Sequence, residues 1–161
     1  MPVGKADTMV RPKGETRMEA VTIHDLRALG DGRVLAVDLI DLLCLFEPEV
    51  RTLHWACRDV WCLGDGADEF HRAAETGVAL DGGELLRLAS SVYQVIDGEF
   101  VGTLPNGIWA RLVVVAVDST YYVVASSAPE LLDRVRQRFS QVRASPEWAE
   151  QFAEQLYGPK D

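Results

Sequence analysis

Residues 111–139, RLVVVAVDSTYYVVASSAPELLDRVRQRF, decide the fold. Leu112 to Val117 is a nearly continuous apolar run of β-branched residues, Asp118, Ser119 and Thr120 carry turn chemistry, and Tyr121 to Ala125 is a second β-favouring run. The segment therefore predicts a β-hairpin. Ser127 stands three residues before Glu130, with Pro129 between them. A hydroxyl and a carboxylate at that spacing satisfy free amides at a helix start, where proline forfeits no hydrogen bond, so a helix is predicted from Pro129 to about Phe139. Leu131, Leu132, Val135 and Phe139 share one face of it, and Asp133, Arg134, Arg136 and Arg138 lie mostly on the other. That is the pattern of a helix packed on a sheet.

Upstream, Tyr93 to Leu104 has β character with Asp97-Gly98 inside it. The dipeptide suits a two-residue hairpin turn, but the arms would be very short, so one long strand with a bulge is preferred. Arg51 to Leu63 is aromatic and β-favouring, alternates poorly and precedes the turn Gly64-Asp65-Gly66, which predicts a strand. Three consecutive strands without intervening helices imply an antiparallel meander and an α+β class. Asp68 to Glu75 reads as a short helix, and Asp81 as the cap of another with Leu85, Leu86, Leu88 and Ala89 inward. Thr22 to Leu29 reads as a short helix capped by Thr22 with Asp25, closed by Gly30-Asp31-Gly32. Arg33 to Phe46 is an apolar run broken only by Asp38 and Asp41, three apart on one helical face, and predicts a largely buried helix ended by Pro48. Ser145-Pro146-Glu147-Trp148 starts a last helix, in which Trp148, Phe152 and Leu156 recur every four residues up to Gly158.

Residues 1–19 are polar and without hydrophobic period, and read as a disordered leader, with Met9 and Met18 as alternative starts to Met1. The expected organisation is that leader followed by a single α+β domain over 20–158. Its antiparallel sheet has about four strands, with a β-meander in the second half, and is covered by helices. A chain of 161 residues that is 48% hydrophobic supports one core. No window approaches the ~20 apolar residues of a membrane span and no signal-peptide centre is present, so a cytoplasmic protein is expected. Cys44, Cys57 and Cys62 are an odd number, which favours reduced thiols.

Charge is unevenly spread. Lys5, Arg11, Lys13 and Arg17 against Asp7 and Glu15 put residues 1–18 at +2, which leaves −11 for residues 19–161 of a chain whose net charge is −9. Such a body repels phosphate backbones, which argues against nucleic acid as a partner, and steers basic partners toward it. An acidic surface also serves plain solubility.

The densest group of chemically capable side chains is His54, Cys57, Cys62 and His71. Imidazole and thiolate suit zinc, yet the cysteines are five positions apart rather than three, and on a strand His54 and Cys57 point to opposite faces. The expectation is ordinary strand residues, with these four only as weak metal candidates. A thiol nucleophile beside His54 or His71 lacks an elbow, an oxyanion loop and an orienting partner. Asp97, Glu99 and Asp118 sit at strand ends or kinks where carboxylates can meet for acid-base work or cation binding. Aspartate before Gly98 or Ser119 is also what a turn prefers. Gly82-Gly83 is not a phosphate loop and no cofactor motif is present, so no cofactor is expected. Of four tryptophans, Trp55 and Trp148 are assigned to the core, and Trp61 and Trp109 to surface contact.

The phrases Tyr93 to Phe100 (YQVIDGEF) and Ala116 to Tyr121 (AVDSTY), followed by the helix start Ala128-Pro129-Glu130, resemble small bacterial proteins of unassigned function. Some of these are similar to immunity proteins of polymorphic toxin systems. The resemblance spans roughly residues 51–142 and brings no catalytic motif. It implies an α+β protein that works by binding. The expectation is a non-enzymatic acidic protein, an immunity-type inhibitor of a basic, nuclease-like toxin, with Asp97, Glu99, Asp118, Trp61 and Trp109 as partner-binding residues. One alternative is a small metal-dependent or thiol enzyme using His54, Cys57 and Cys62. Another is a homo-oligomeric adaptor joined through a strand edge.

Overall fold

The computed structural model describes residues 17–105, 107 and 109–156. The elements in chain order are β1 (Glu19–Ile23), β2 (Leu26–Leu29), β3 (Gly32–Leu35), α1 (Leu39–Leu45), α2 (Glu49–Thr52), β4 (His54–Leu63), α3 (Ala67–Glu75), β5 (Leu80–Asp81), α4 (Gly82–Ser90), β6 (Gln94–Thr103), β7 (Ala110–Val117), β8 (Tyr121–Ser126), α5 (Pro129–Arg138), β9 (Val142–Ala144) and α6 (Pro146–Leu156). Seven strands form one antiparallel sheet in the order β5-β4-β6-β7-β8-β1-β9, and β2 and β3 form a separate hairpin.

The class is α+β with a mostly antiparallel sheet, as expected, but "about four strands" understates it. The expected hairpin is β7 and β8, turning at Asp118-Ser119 with both residues at positive φ (49° and 57°). Positive φ at both gives a primed turn, closed by the Thr120 N–H on the Val117 carbonyl at 2.9 Å, with Val117 and Tyr121 as the last pair of the ladder. β6 is one strand, as preferred, and the expected meander is β6-β7-β8, with β4 pairing on the other edge of β6.

Alternation along the central strands feeds two cores. Phe100, Leu112, Val114, Tyr122 and Val124 point to the face covered by α1, α4 and α5, where they meet Leu42, Leu85, Leu88, Leu131 and Val135. Val101, Val113, Val115, Val123 and Ala125 point to the other face, where α6 lays Phe152 and Trp148 against β1 and β8. Burial on both faces explains why the 112–117 run is unbroken by polar residues.

Two N-terminal helices expected from the sequence are corrected. Thr22 to Leu29 is not helical: β1 inserts between β8 and β9, with Val21 and Ile23 to one core and Ala20 to the other. Gly30 and Asp31, read as a helix stop, are the loop of the β2–β3 hairpin. Asp25 does not cap a helix there; its carboxylate accepts from the N–H groups of Ser140 and Gln141 and from Ser140 Oγ, tying the segment after β1 to the end of α5. In the 33–46 run only Leu39–Leu45 is helical. Asp38 and Asp41 are not a polar helix face but a capping box, Asp38 as N-cap and Asp41 reaching back to its N–H at 2.8 Å. At α5 the N-cap is Ala128 without a side-chain cap bond, in place of the expected Ser127-Glu130 box. Glu130 lies 3.9 Å from Arg111 instead.

Of the expected 1–19 leader, residues 1–16 lie outside the described residues; Met18 is buried and Glu19 opens β1. Among the described residues no helix is long and apolar enough to cross a membrane.

Candidate functional site

Two bulges in adjacent strands shape one end of the sheet. β4 begins with Trp55 and Cys57 in the core, so simple alternation would send Trp61 inward and Cys62 outward. Asp59 instead takes φ 52°, and the register jumps from Arg58↔Glu99 to Trp61↔Asp97. The extra residue inverts the parity: Cys62 is buried, and Trp61 stands 56% exposed. The next pair is Cys62↔Val95, which leaves Ile96 as the extra residue of β6. That second inversion keeps Val95 and Phe100 in the core while Asp97 and Glu99 face outward beside Trp61.

The turn of β7 and β8 is fastened to this corner. Asp118 N–H donates to Asp97 Oδ1 at 2.8 Å, Ser119 N–H to the Ile96 carbonyl at 3.0 Å, and Gln94 Nε2 to Ser119 Oγ at 2.9 Å. Glu99 lies 3.6 Å from Arg58. Leu63 and Tyr93 are also exposed at this end, where Tyr93 N–H donates to the Leu63 carbonyl. The structure thus gathers Trp61, Asp97, Glu99 and Asp118 into one aromatic and acidic corner. Trp109 is apart: it precedes Ala110, which pairs with Thr103 at the opposite end of β6, about 20 Å away at the rise of a strand.

The His54, Cys57, Cys62 and His71 group divides. His54 is exposed at the far end of β4, paired with Asp81 and Thr103. Cys62 and His71 meet: His71 Nε2 accepts from the Cys62 N–H at 3.1 Å and is 3.5 Å from Cys62 Sγ. Burial pushes the Cys62 thiol up to about 11 and the Cys57 thiol up to about 12, the reverse of what a nucleophile needs. Among the described residues no three His, Cys, Asp or Glu side chains come together closely enough to hold a metal ion. All three cysteines are free thiols.

Trp55 is core, its Nε1 donating to the Val50 carbonyl at 3.0 Å, and Trp148 is partly buried against Phe152. A cavity of about 600 Å³ between β1, β9 and α6 carries two cations, Arg17 and Arg136, and two acids, Glu19 and Glu150, over alanines. A second, of about 610 Å³, opens between the β4 bulge and α3 directly behind Trp61.

A half-buried acid that the sequence does not single out as functional is Asp38. Its Oδ1 accepts from Leu39 N–H, Val95 N–H and Tyr122 Oη at 3.3, 3.1 and 3.2 Å, joining α1 to β6 and β8. Burial raises its carboxyl above the ordinary range, against the pull of those donors. Sequence reasoning also missed Asp59, although an aspartate where alternation calls for a core residue was a legible bulge signal. Comparison with protein-family models, with curated proteins and with solved structures returns no match.

Proposed function

We propose that this chain is a non-enzymatic binding protein that meets a basic protein partner through the sheet corner around Trp61, in the manner of an immunity-type inhibitor covering the cationic active site of a nuclease-like toxin. The observation that carries the reading is the doubled bulge. A half-exposed indole costs solvation, and it is turned out of the core beside Asp97 and Glu99 by the extra residue of β4, while the bulge at Ile96 returns Val95 to the core. Exposed tryptophan ringed by polar groups is the composition of a binding hot spot. The net charge of −9 supplies attraction at a distance for a basic partner.

Among the described residues Asp97 and Glu99 at this corner already have partners, which supports the binding reading. Asp97 is engaged by the Asp118 amide and Glu99 faces Arg58. The buried thiols are held protonated.

The test is capture of partners from the source cells by tagged wild-type chain and by Glu99→Lys, each at low and raised salt. The reading expects a basic protein that wild type retains at low salt, loses as salt rises, and that Glu99→Lys fails to retain. Capture of only acidic proteins, or capture indifferent to both salt and Glu99→Lys, overturns it.

A further inference from the structure

Behind Trp61, among the described residues β4 has a strand neighbour on its outer flank only at His54 and Trp55, where the two-residue β5 pairs. Beyond that point the flank faces α3 and the chain after it, and the cleft of about 610 Å³ lies between them. That volume is in the range of ligand sites. Its floor is apolar or half-buried: Cys57, Val60, Ala74 and His71. The rim is exposed and carries Trp61, Asp59 and Glu75.

Charge makes the cleft selective. Its own cation, Arg58, is turned to Glu99 at 3.6 Å. Asp59 and Glu75 take part in no ion pair or side-chain hydrogen bond among the described residues. Two carboxylates outside any ion pair, against one arginine that faces Glu99, leave the mouth of this concave cleft net negative. The indole beside them offers a π face, which attracts a cation and stacks best with a planar guanidinium. The Cys57, Val60 and Ala74 side of the floor suits the methylene stem of a long cationic side chain, whose head then sits at the rim.

From these features we infer that the cleft receives an arginine side chain of the partner. This rests on the binding reading above and deepens it: the basic partner is anchored by at least one arginine, with its guanidinium between Trp61, Asp59 and Glu75.

The probe is the peptide acetyl-Ala-Arg-Ala-Arg-Ala-amide, with two controls in which lysine or citrulline replaces arginine. Citrulline keeps the shape and removes the charge. The readout is the indole N–H resonance of Trp61 in the full chain, assigned by its disappearance in Trp61→Phe. The arginine peptide is expected to shift that resonance saturably, the citrulline peptide to leave it in place, and the lysine peptide to bind more weakly. Glu75→Gln and Asp59→Asn are each expected to weaken the arginine peptide roughly fivefold, as loss of a charge partner at an interface does. Glu75 is exposed on the last turn of α3, so Glu75→Gln keeps the fold, which the remaining amide spectrum verifies. An unmoved resonance, an equal response to citrulline or lysine, or unchanged affinity in Glu75→Gln overturns the inference. The binding reading fails separately: a partner lost by Glu99→Lys yet indifferent to Glu75→Gln removes the cleft alone, whereas peptide binding without any captured basic protein removes the wider reading alone.

Discussion

The imidazole Nε2 of His71 accepts the backbone N–H of Cys62 at 3.1 Å, with the Cys62 sulfur 3.5 Å from the same nitrogen. Two residues that suggest a catalytic pair are joined for a structural purpose: the ring from α3 satisfies an amide on the outer flank of β4, which β5 does not reach. A lone pair already engaged by an amide is a poor base for the adjacent thiol.

Thiol reactivity should follow. Cys44 is exposed, whereas Cys57 and Cys62 are buried with thiols raised to about 12 and about 11. A chromogenic disulfide reagent near neutral pH is expected to titrate one thiol quickly in the native protein and three in guanidinium chloride. Rapid native reaction of Cys62 would revive the thiol-enzyme alternative.

The Asp38 carboxylate holds three donors from α1, β6 and β8 through one oxygen. Asp38→Ala removes an N-cap and strands the buried Tyr122 hydroxyl, a combined loss of about 3 kcal/mol. Asp38→Asn keeps the accepting oxygen and is expected to lose under about 1 kcal/mol. Urea unfolding midpoints of the two variants decide it; equal losses would mean that the shared oxygen is unimportant.

Acid behaviour tests Asp25 and Asp38 in opposite directions. Burial raises the Asp25 carboxyl, but the bonds from Ser140 and Gln141 outweigh it and hold it below 3.8. A carboxyl lowered by folding stabilises above its unfolded value, and that contribution disappears as pH falls through the folded one. Asp25→Asn should therefore lose less stability than wild type on acidification through that window. For Asp38, raised above 3.8 by burial, the sign reverses. Its favourable contribution is complete below the unfolded value and is lost as pH rises through the folded one. The stability of wild type relative to Asp38→Asn should fall over that rise. Parallel pH profiles for wild type and either variant would contradict the assignment.

Gly82 and Gly83 look interchangeable in sequence and are not. A Cβ on Gly82 would meet the Val50 carbonyl oxygen at 2.0 Å and Arg51 Cα at 2.7 Å, because α4 starts against the backbone of α2. On Gly83 it would meet only side-chain tips of Asp81 and Arg51, at 3.3 and 3.6 Å. Gly82→Ala should cost about 3 kcal/mol or prevent folding, and Gly83→Ala less than about 0.5 kcal/mol, as read by thermal unfolding. Similar effects would show that the close approach is relaxed at no cost.

The legible parts of this fold were those where local signals and tertiary packing agree. The 111–139 segment states its hairpin and its amphipathic helix in its own residues, and Asp81 both looks like an N-cap and accepts the Glu84 amide at 2.7 Å. The N-terminal region misled because Thr22 and Asp25 have capping spacing, while β1 exists only through partners a hundred residues away, β8 and β9. Strands of two and three residues, β5 and β9, have no period to detect. At the candidate site, the sequence supplied Trp61, Asp97, Glu99 and Asp118 but not their convergence. The β4 bulge creates that convergence, and it appeared in the sequence only as poor alternation. Trp109 stands at the opposite end of the sheet from that corner.

The most direct test of the central claim is the dissociation constant between this chain and the basic protein it captures, for wild type and Trp61→Ala at two salt concentrations. Removing the indole is expected to weaken binding by about thirtyfold or more, the loss of one hot-spot residue, and added salt to weaken the wild-type complex. An unchanged constant in Trp61→Ala, or a complex insensitive to salt, would contradict it.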